Sequence, residues 1–228
     1  MSWTDRSAIE TIKRLRDKFN VVEFVETGTF KGINAEFQAR NFQSILTCEI
    51  NPEFFKIAQK RLKHLKNVEI YNQDSPEFLN DYYNDYFDFY ERHTPIFYLD
   101  AHFYNPNGPR WVVQNELESL AYFNNGIVII HDFDNGLGHC KYDGESLGWK
   151  VVKDRLKEIN PKFEYYTNSL EFCDPIRKPQ DLGLIDTEDI RDNIAYMWSK
   201  PRLTYRGILY CLPDKLDDPK DFRLIKWN

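Results

Sequence analysis

The sequence predicts a doubly wound α/β fold with a mostly parallel sheet of seven strands, and three observations carry that prediction. A short apolar run, residues 21–26, ends in the carboxylate of Glu26 and passes directly into Thr27-Gly28-Thr29-Phe30-Lys31-Gly32 and a helical pattern. Strand-like apolar runs then alternate with amphipathic segments, the rhythm of a sheet covered by helices on both faces. Each of the first five strand runs stops at polar residues, on the edge where such sheets bind ligands.

The elements follow in order. Ile9, Ile12, Leu15 and Phe19 share one face of an N-terminal helix within residues 1–20, with Thr4 as its N-cap. After the glycine turn, a helix over 32–40 is expected to bury Phe37 and Ala39. The second strand is 44–49, and Asn51-Pro52 opens the next helix, since proline suits a first turn that has no use for its missing N–H. A third strand, 68–71, precedes a segment dense in Tyr and Asp (76–92), where poor helix propensity predicts a helix open to a break. Strands at 95–100 and 127–131 flank a helix over 110–123. Residues 132–148 hold four glycines and read as a long loop, a kind usually functional in compact domains. A helix at 149–159 and a strand at 163–166 come next. Residues 168–204, with three prolines and no sustained period, read as an insertion before a last strand at 207–212, and the charged tail from Asp214 is expected on the surface. All of this fits one domain spanning 1–228.

Composition narrows the partners. A formal net charge of −6 disfavours nonspecific binding to nucleic acid, which draws its affinity from a basic face. Cys48, Cys140, Cys173 and Cys211 form no CxxC pair and read as free thiols. No apolar leader core opens the chain and no run reaches the roughly 20 apolar residues needed to cross a bilayer. A cytoplasmic location, no membrane and a small-molecule partner are the resulting expectations.

The glycine turn carries the chemistry. Gly28 lets backbone approach closely, and a carboxylate just before it would repel a phosphate while suiting a ligand with an amino group and hydroxyls. The stretch VETGTFKG resembles motif I, acidic-x-Gly-x-x-x-Gly, of the class I S-adenosylmethionine-dependent methyltransferases. That resemblance implies a Rossmann-like fold whose final strand inserts antiparallel, and S-adenosyl-L-methionine as cofactor. Glu26, Gly28, Thr29 and Gly32 would form its first contact region, with Asn34 near the methionine carboxylate. Glu49 follows Glu26 by 23 residues, and an acid about 20 residues past such a turn is placed to accept ribose hydroxyls. Asp74-Ser75, after the third strand, resembles the family's adenine-contacting pair, and Asp100 closes the cofactor set.

A second constellation lies at two further strand ends: LDAH (99–102) and HDFDN (131–135). Asp and His with oxygen-rich neighbours and no thiolate suit a hard cation such as Mg²⁺. The pattern resembles the metal-dependent O-methyltransferases of the macrocin and catechol types, which implies Asp100, Asp132 and Asp134 as metal ligands. There the ion would ready a substrate hydroxyl for attack on the sulfonium methyl. Phe133 stands where that family has a second ligand, so Asp134 or His102 replaces it, or there is no metal. His102, with an ordinary pKa near ~6.5, is the expected base, alongside Asp100. His131 reads as a buried strand-end histidine bonded to backbone. The expected activity is O-methylation of a sugar or polyol. A metal-dependent hydrolase using the Asp/His cluster, or a catalytically silent S-adenosylmethionine-binding protein, fits the same residues.

Overall fold

The computed structural model describes residues 6–90, 93–101, 111–136, 141–142, 145–172, 191 and 206–227. Eight strands form one sheet in the order β3-β2-β1-β4-β5-β9-β8-β10, in which β8 is Glu164–Asn168, β9 is Ile208–Leu212 and β10 is Leu224–Lys226. Its parallel half is β1 (Glu23–Thr27), β2 (Ser44–Cys48), β3 (Val68–Tyr71), β4 (Ile96–Leu99) and β5 (Ile127–His131). The chain runs outward from β1 to β2 and β3, then returns to place β4 on the other side of β1. The strand order therefore reverses at β1, and the crevice above that switch point is where open α/β sheets hold ligands.

Alternation along each strand feeds two cores. Val25, Leu46, Phe97, Leu99, Val128 and Ile130 face one side. There they meet α4 (Ser75–Tyr90), α5 (Val113–Ser119) and α6 (Trp149–Ile159) through Leu79, Leu117 and Leu156. Phe24, Ile45, Ile96, Tyr98, Ile127 and Ile129 face the other side. Their partners are α1 (Arg6–Phe19), α2 (Ile33–Gln38) and α3 (Pro52–Leu62), through Ile12, Leu15, Ala35 and Ala58. With both faces covered, β4 (IFYL) and the first four residues of β5 (IVII) read as unbroken apolar runs, as strands of parallel sheets do. Asn51-Pro52 opens α3 as expected, and the structure adds a cap, Asn51 Oδ1 accepting from Glu53 N at 2.9 Å.

Several expectations are corrected. α2 is shorter than predicted and buries Ile33, Ala35 and Gln38, leaving Phe37 and Ala39, the residues expected inward, half-buried. The Tyr/Asp-rich segment is an unbroken helix, α4; Phe78, Leu79 and Tyr82 supply a buried stripe that outweighs weak propensity. The 132–148 loop contains a small hairpin, β6 (Lys141–Tyr142) with β7 (Glu145–Ser146). The final strand, β9 (Ile208–Leu212), does lie antiparallel between β5 and β8 (Glu164–Asn168).

The charged tail is not merely superficial. It forms a 3-10 turn (Pro219–Phe222) and β10 (Leu224–Lys226), which pairs antiparallel with β8 and buries Leu216 and Leu224. Three residues are too few to show a strand period, and the free edge of β8 recruits them. Thr11 Oγ1 donates to Phe222 O at 2.8 Å, tying this tail to α1. Of the predicted insertion, residues 173–190 and 192–204 lie outside the described residues, as do Thr4, Cys140 and Cys173. Cys48 and Cys211 are buried free thiols. Among the described residues no helix is long and apolar enough to cross a membrane.

Phe97 is fully buried and sits between the rings of Tyr82 (5.7 Å) and Phe123 (4.8 Å), both edge-on. Phe97→Ala is expected to cost about 3–5 kcal/mol in urea unfolding, the usual loss for a large ring left as a cavity. A loss below about 1 kcal/mol would place this core elsewhere.

Candidate functional site

The site grows from the β1–α2 turn. Gly28 and Gly32 both adopt left-handed backbone, φ 77° and 80°. A Cβ on Gly28 would lie 2.8 Å from Asp100 O, so the bare backbone lets the turn rest on the end of β4. A Cβ on Gly32 would come within 3.2 Å of Ala58 Cβ, so this glycine serves the packing of α2 on α3. The turn's N–H groups are largely spent on protein. Gly28 N and Thr29 N both donate to Cys48 O at 3.0 Å, and Phe30 N donates to Glu49 Oε2 at 2.7 Å.

Glu26 and Glu49 stand at the ends of adjacent strands, with Glu26 paired to Thr47 in the β1–β2 register. Both pin the turn, from different sides. Glu26 lies 2% exposed, accepting from Asn34 Nδ2 and from Thr47 Oγ1 at 2.7 Å each. Thr47 Oγ1 in turn lies 2.5 Å from Thr29 Oγ1. Burial pushes the Glu26 carboxyl up to about 7, against the pull of its two hydrogen bonds. Asn34 is thereby a buried partner of Glu26. Glu49 accepts from Phe30 N and, at 2.9 Å, from Asn51 N. A carboxylate offers about four acceptor positions, so two remain for a ligand.

A pocket of about 150 Å³ opens beside Glu49. Gly28 and Cys48 lie along it, Gln73, Asp74 and Ser75 line it from the end of β3, and Ala101 and Val112 from beyond β4. Ser75 is buried and Asp74 exposed, the Asp74 carbonyl accepting from Phe78 N at 2.9 Å to start α4. Glu26 is not among the lining residues; it acts beneath the turn. Ile50 also lines the pocket and stays 63% exposed, an apolar face presented where a flat ring could rest. Sequence reading missed Ile50 and Gln73, although both adjoin residues it selected: an exposed apolar side chain straight after Glu49 was the available signal. Asn72, whose Nδ2 donates to Glu49 O at 2.7 Å, fixes the β2 and β3 ends together.

The second constellation assembles differently from its expected form. His131, fully buried, brings Asp100 and Asp132 together: its Nδ1 lies 2.9 Å from Asp100 Oδ1 and 3.1 Å from Asp132 Oδ1. It is thus bonded to carboxylates and not to backbone alone. Burial pushes the Asp100 carboxyl up, and the neighbouring His131 charge and hydrogen bond pull it down, to a net value below the ordinary one. Its side chain is 16% exposed, the most open of the three. Asp134 is not part of the group; its Oδ1 accepts from Gly136 N at 3.3 Å. Phe133, fully buried, packs edge-on against Trp227. His102 lies outside the described residues.

Asp100, His131 and Asp132 offer ligand atoms within 4.8 Å of one another. The donor set nevertheless does not suit Mg²⁺ as it stands. Both Asp132 oxygens accept from Arg206 Nη1, at 2.7 and 2.5 Å, and a hard cation wants six oxygen donors free of a competing cation. Arg206 went unnoticed in the sequence because it precedes the last strand at long range from every motif.

No family model matches the sequence, and no curated protein matches it. Solved structures do match in fold. A protein assigned as a sarcosine dimethylglycine methyltransferase from Galdieria sulphuraria is 11% identical, with a TM-score of 0.51, over 92% of this chain and 86% of that one. The N-methyltransferase NodS from Bradyrhizobium japonicum is 10% identical, with a TM-score of 0.50, over 90% and 94%. Spermidine synthase from Thermotoga maritima is 13% identical, with a TM-score of 0.50, over 96% and 62%. The chain has the Rossmann-like fold of the class I methyltransferases, with a mostly parallel sheet. Its particular reaction must be argued from the site.

The raised Glu26 carboxyl makes a signed prediction. A group whose folded pKa exceeds its unfolded value stabilises below the unfolded pKa and loses that contribution as pH rises through the folded one. Between pH 4.5 and about 7 the wild-type chain should therefore lose stability relative to Glu26→Gln. The gap should reach about 3 kcal/mol by pH 8 in chemical denaturation. Parallel pH profiles for the two proteins would show instead that Glu26 titrates normally.

Proposed function

We propose that this chain is an S-adenosyl-L-methionine-dependent methyltransferase acting on an oxygen of a small-molecule acceptor, a sugar or polyol hydroxyl. The observation that carries this reading is the pocket at the switch point, lined by Glu49 with spare acceptor positions, by Gly28 and by the Asp74-Ser75 turn. Glu49 suits a ribose diol, Ile50 and Ser75 suit the faces and edges of a purine, and the carboxylates of the region suit a cationic ligand. The bound cofactor supplies an electrophilic methyl group on a sulfonium.

The acceptor stands beyond the ends of β4 and β5. Asp100 follows the last residue of β4 directly and adjoins Ala101, which lines the pocket, so it is the carboxylate an entering hydroxyl meets. Asp100 would orient the acceptor by accepting a hydrogen bond from a neighbouring hydroxyl of the sugar or polyol, which leaves the attacking hydroxyl's own proton free for a base. Were the methyl group transferred to the acceptor oxygen, the thioether would leave as the neutral product and the hydroxyl proton would have to pass to a base. His102 is that base on its spacing from Asp100. The net negative charge favours a small neutral acceptor over nucleic acid.

The test has two arms. S-Adenosylhomocysteine should bind the wild-type chain in calorimetry and bind Glu49→Gln at least about tenfold more weakly, the cost of exchanging a charged acceptor for a neutral one. Methyl transfer from labelled cofactor to a panel of sugars and polyols should fall at least about 100-fold in Asp100→Asn, with affinity for S-adenosylhomocysteine unchanged. Absence of any heat with the wild-type chain would remove the cofactor assignment; binding without product on any acceptor would favour the silent binding protein.

A further inference from the structure

Two carboxylates lie close together at the ends of β4 and β5, and a chain that gathers such groups must balance their charge. The balancing cation is already present in the chain. Arg206 Nη1 reaches both oxygens of Asp132, whose side chain is 1% exposed, and the arginine side chain itself is only 17% exposed.

Main-chain geometry on both sides fixes this arginine. Arg206 O accepts from Asn168 Nδ2 at 2.8 Å, and Asn168 Oδ1 accepts from Ile208 N at 2.9 Å. The next residue, Gly207, has its carbonyl bonded by Phe133 N at 2.9 Å. A Cβ on Gly207 would lie 1.9 Å from Phe133 O, so the two backbones could not meet this closely with any other residue there. Asp132 for its part turns in left-handed backbone, φ 56°, directly after β5. Residues 132 and 206 are thus held face to face by their own strands, before any ligand is considered.

We propose that Arg206 is the resident cation of this acidic cluster, standing in for a divalent metal. By holding Asp132 it positions His131 against Asp100, so the group that meets the acceptor is oriented through a relay of Arg206, Asp132 and His131. Arg206 is a positioning residue in this scheme. The ion pair and the contacts of His131 follow from the geometry of the cluster alone, while the part about the acceptor rests on the function proposed above.

Mn²⁺ binding to the full chain, followed by electron paramagnetic resonance, tests it without an activity assay. The wild-type chain should bind no Mn²⁺ more tightly than about 1 mM, the weak end of protein cation sites. Arg206→Gln should gain a site at least about tenfold tighter, since a like charge in contact with the ligands is gone. Adding Asp132→Asn should abolish the gain, and Arg206→Lys should keep wild-type behaviour. One equivalent of Mn²⁺ on the wild-type chain, lost in Asp100→Asn, would overturn the proposal. So would an Arg206→Gln chain with wild-type circular dichroism and no gain, or an Arg206→Lys chain that gains as much. Should Arg206→Gln not fold, the wild-type and Arg206→Lys titrations decide the matter between them.

Discussion

Everything at the ligand edge of this sheet depends on one constraint: the turn between β1 and α2 is gripped by two carboxylates from different sides. Glu26 holds Asn34 of α2 and Thr47 of β2 from beneath, while Glu49 takes the Phe30 N–H from the pocket side. Each grip exchanges a solvated charge for hydrogen bonds, a trade that succeeds only when the partners are already in place. Gly28 supplies that condition by allowing the turn to lie against the backbone after β4. The result is a rigid floor for the pocket, made before any ligand arrives, and such preorganisation spares binding the cost of ordering the turn.

The two glutamates consequently divide their labour. Glu49 keeps contact with the pocket and has acceptor capacity to spare. Glu26 is withdrawn, and burial leaves its carboxyl near neutrality. A withdrawn carboxylate next to a ligand site contributes chiefly through the groups it orients, here Asn34, Thr47 and, through Thr47, Thr29.

The far half of the crevice is organised by charge pairing. Arg206 arrives from just ahead of β9, which runs antiparallel beside β5, so its side chain meets Asp132, the residue just after β5. Inserting the last strand beside β5 therefore brings a cation to the acidic edge as well as completing the sheet. A polar web of Asn135, Thr167 and Asn168 lies just behind, with Asn135 Nδ2 2.9 Å from Asn168 Oδ1 and Thr167 Oγ1 donating to Ile208 O at 2.9 Å, and it ties the segment after β5 to β8 and β9.

The sequence by itself determined the five parallel strands, β8 and β9, their order of appearance and the polar residues that end the parallel ones, because apolar period and glycine turns are local signals. It also put Glu49, Asp74, Ser75 and Asp100 just past strand ends, and parallel strands deliver such residues to the same side of a sheet. Tertiary structure alone decided what those residues touch. It turned Glu26 away from the pocket, joined His131 to Asp100 and Asp132, recruited Leu224 to the sheet edge, and set Arg206 on an aspartate 74 positions earlier in the chain. Such pairings have no period to read: they arise because folding brings distant strand ends within hydrogen-bond reach, and buried charges then settle on whatever opposite charge the fold has placed beside them.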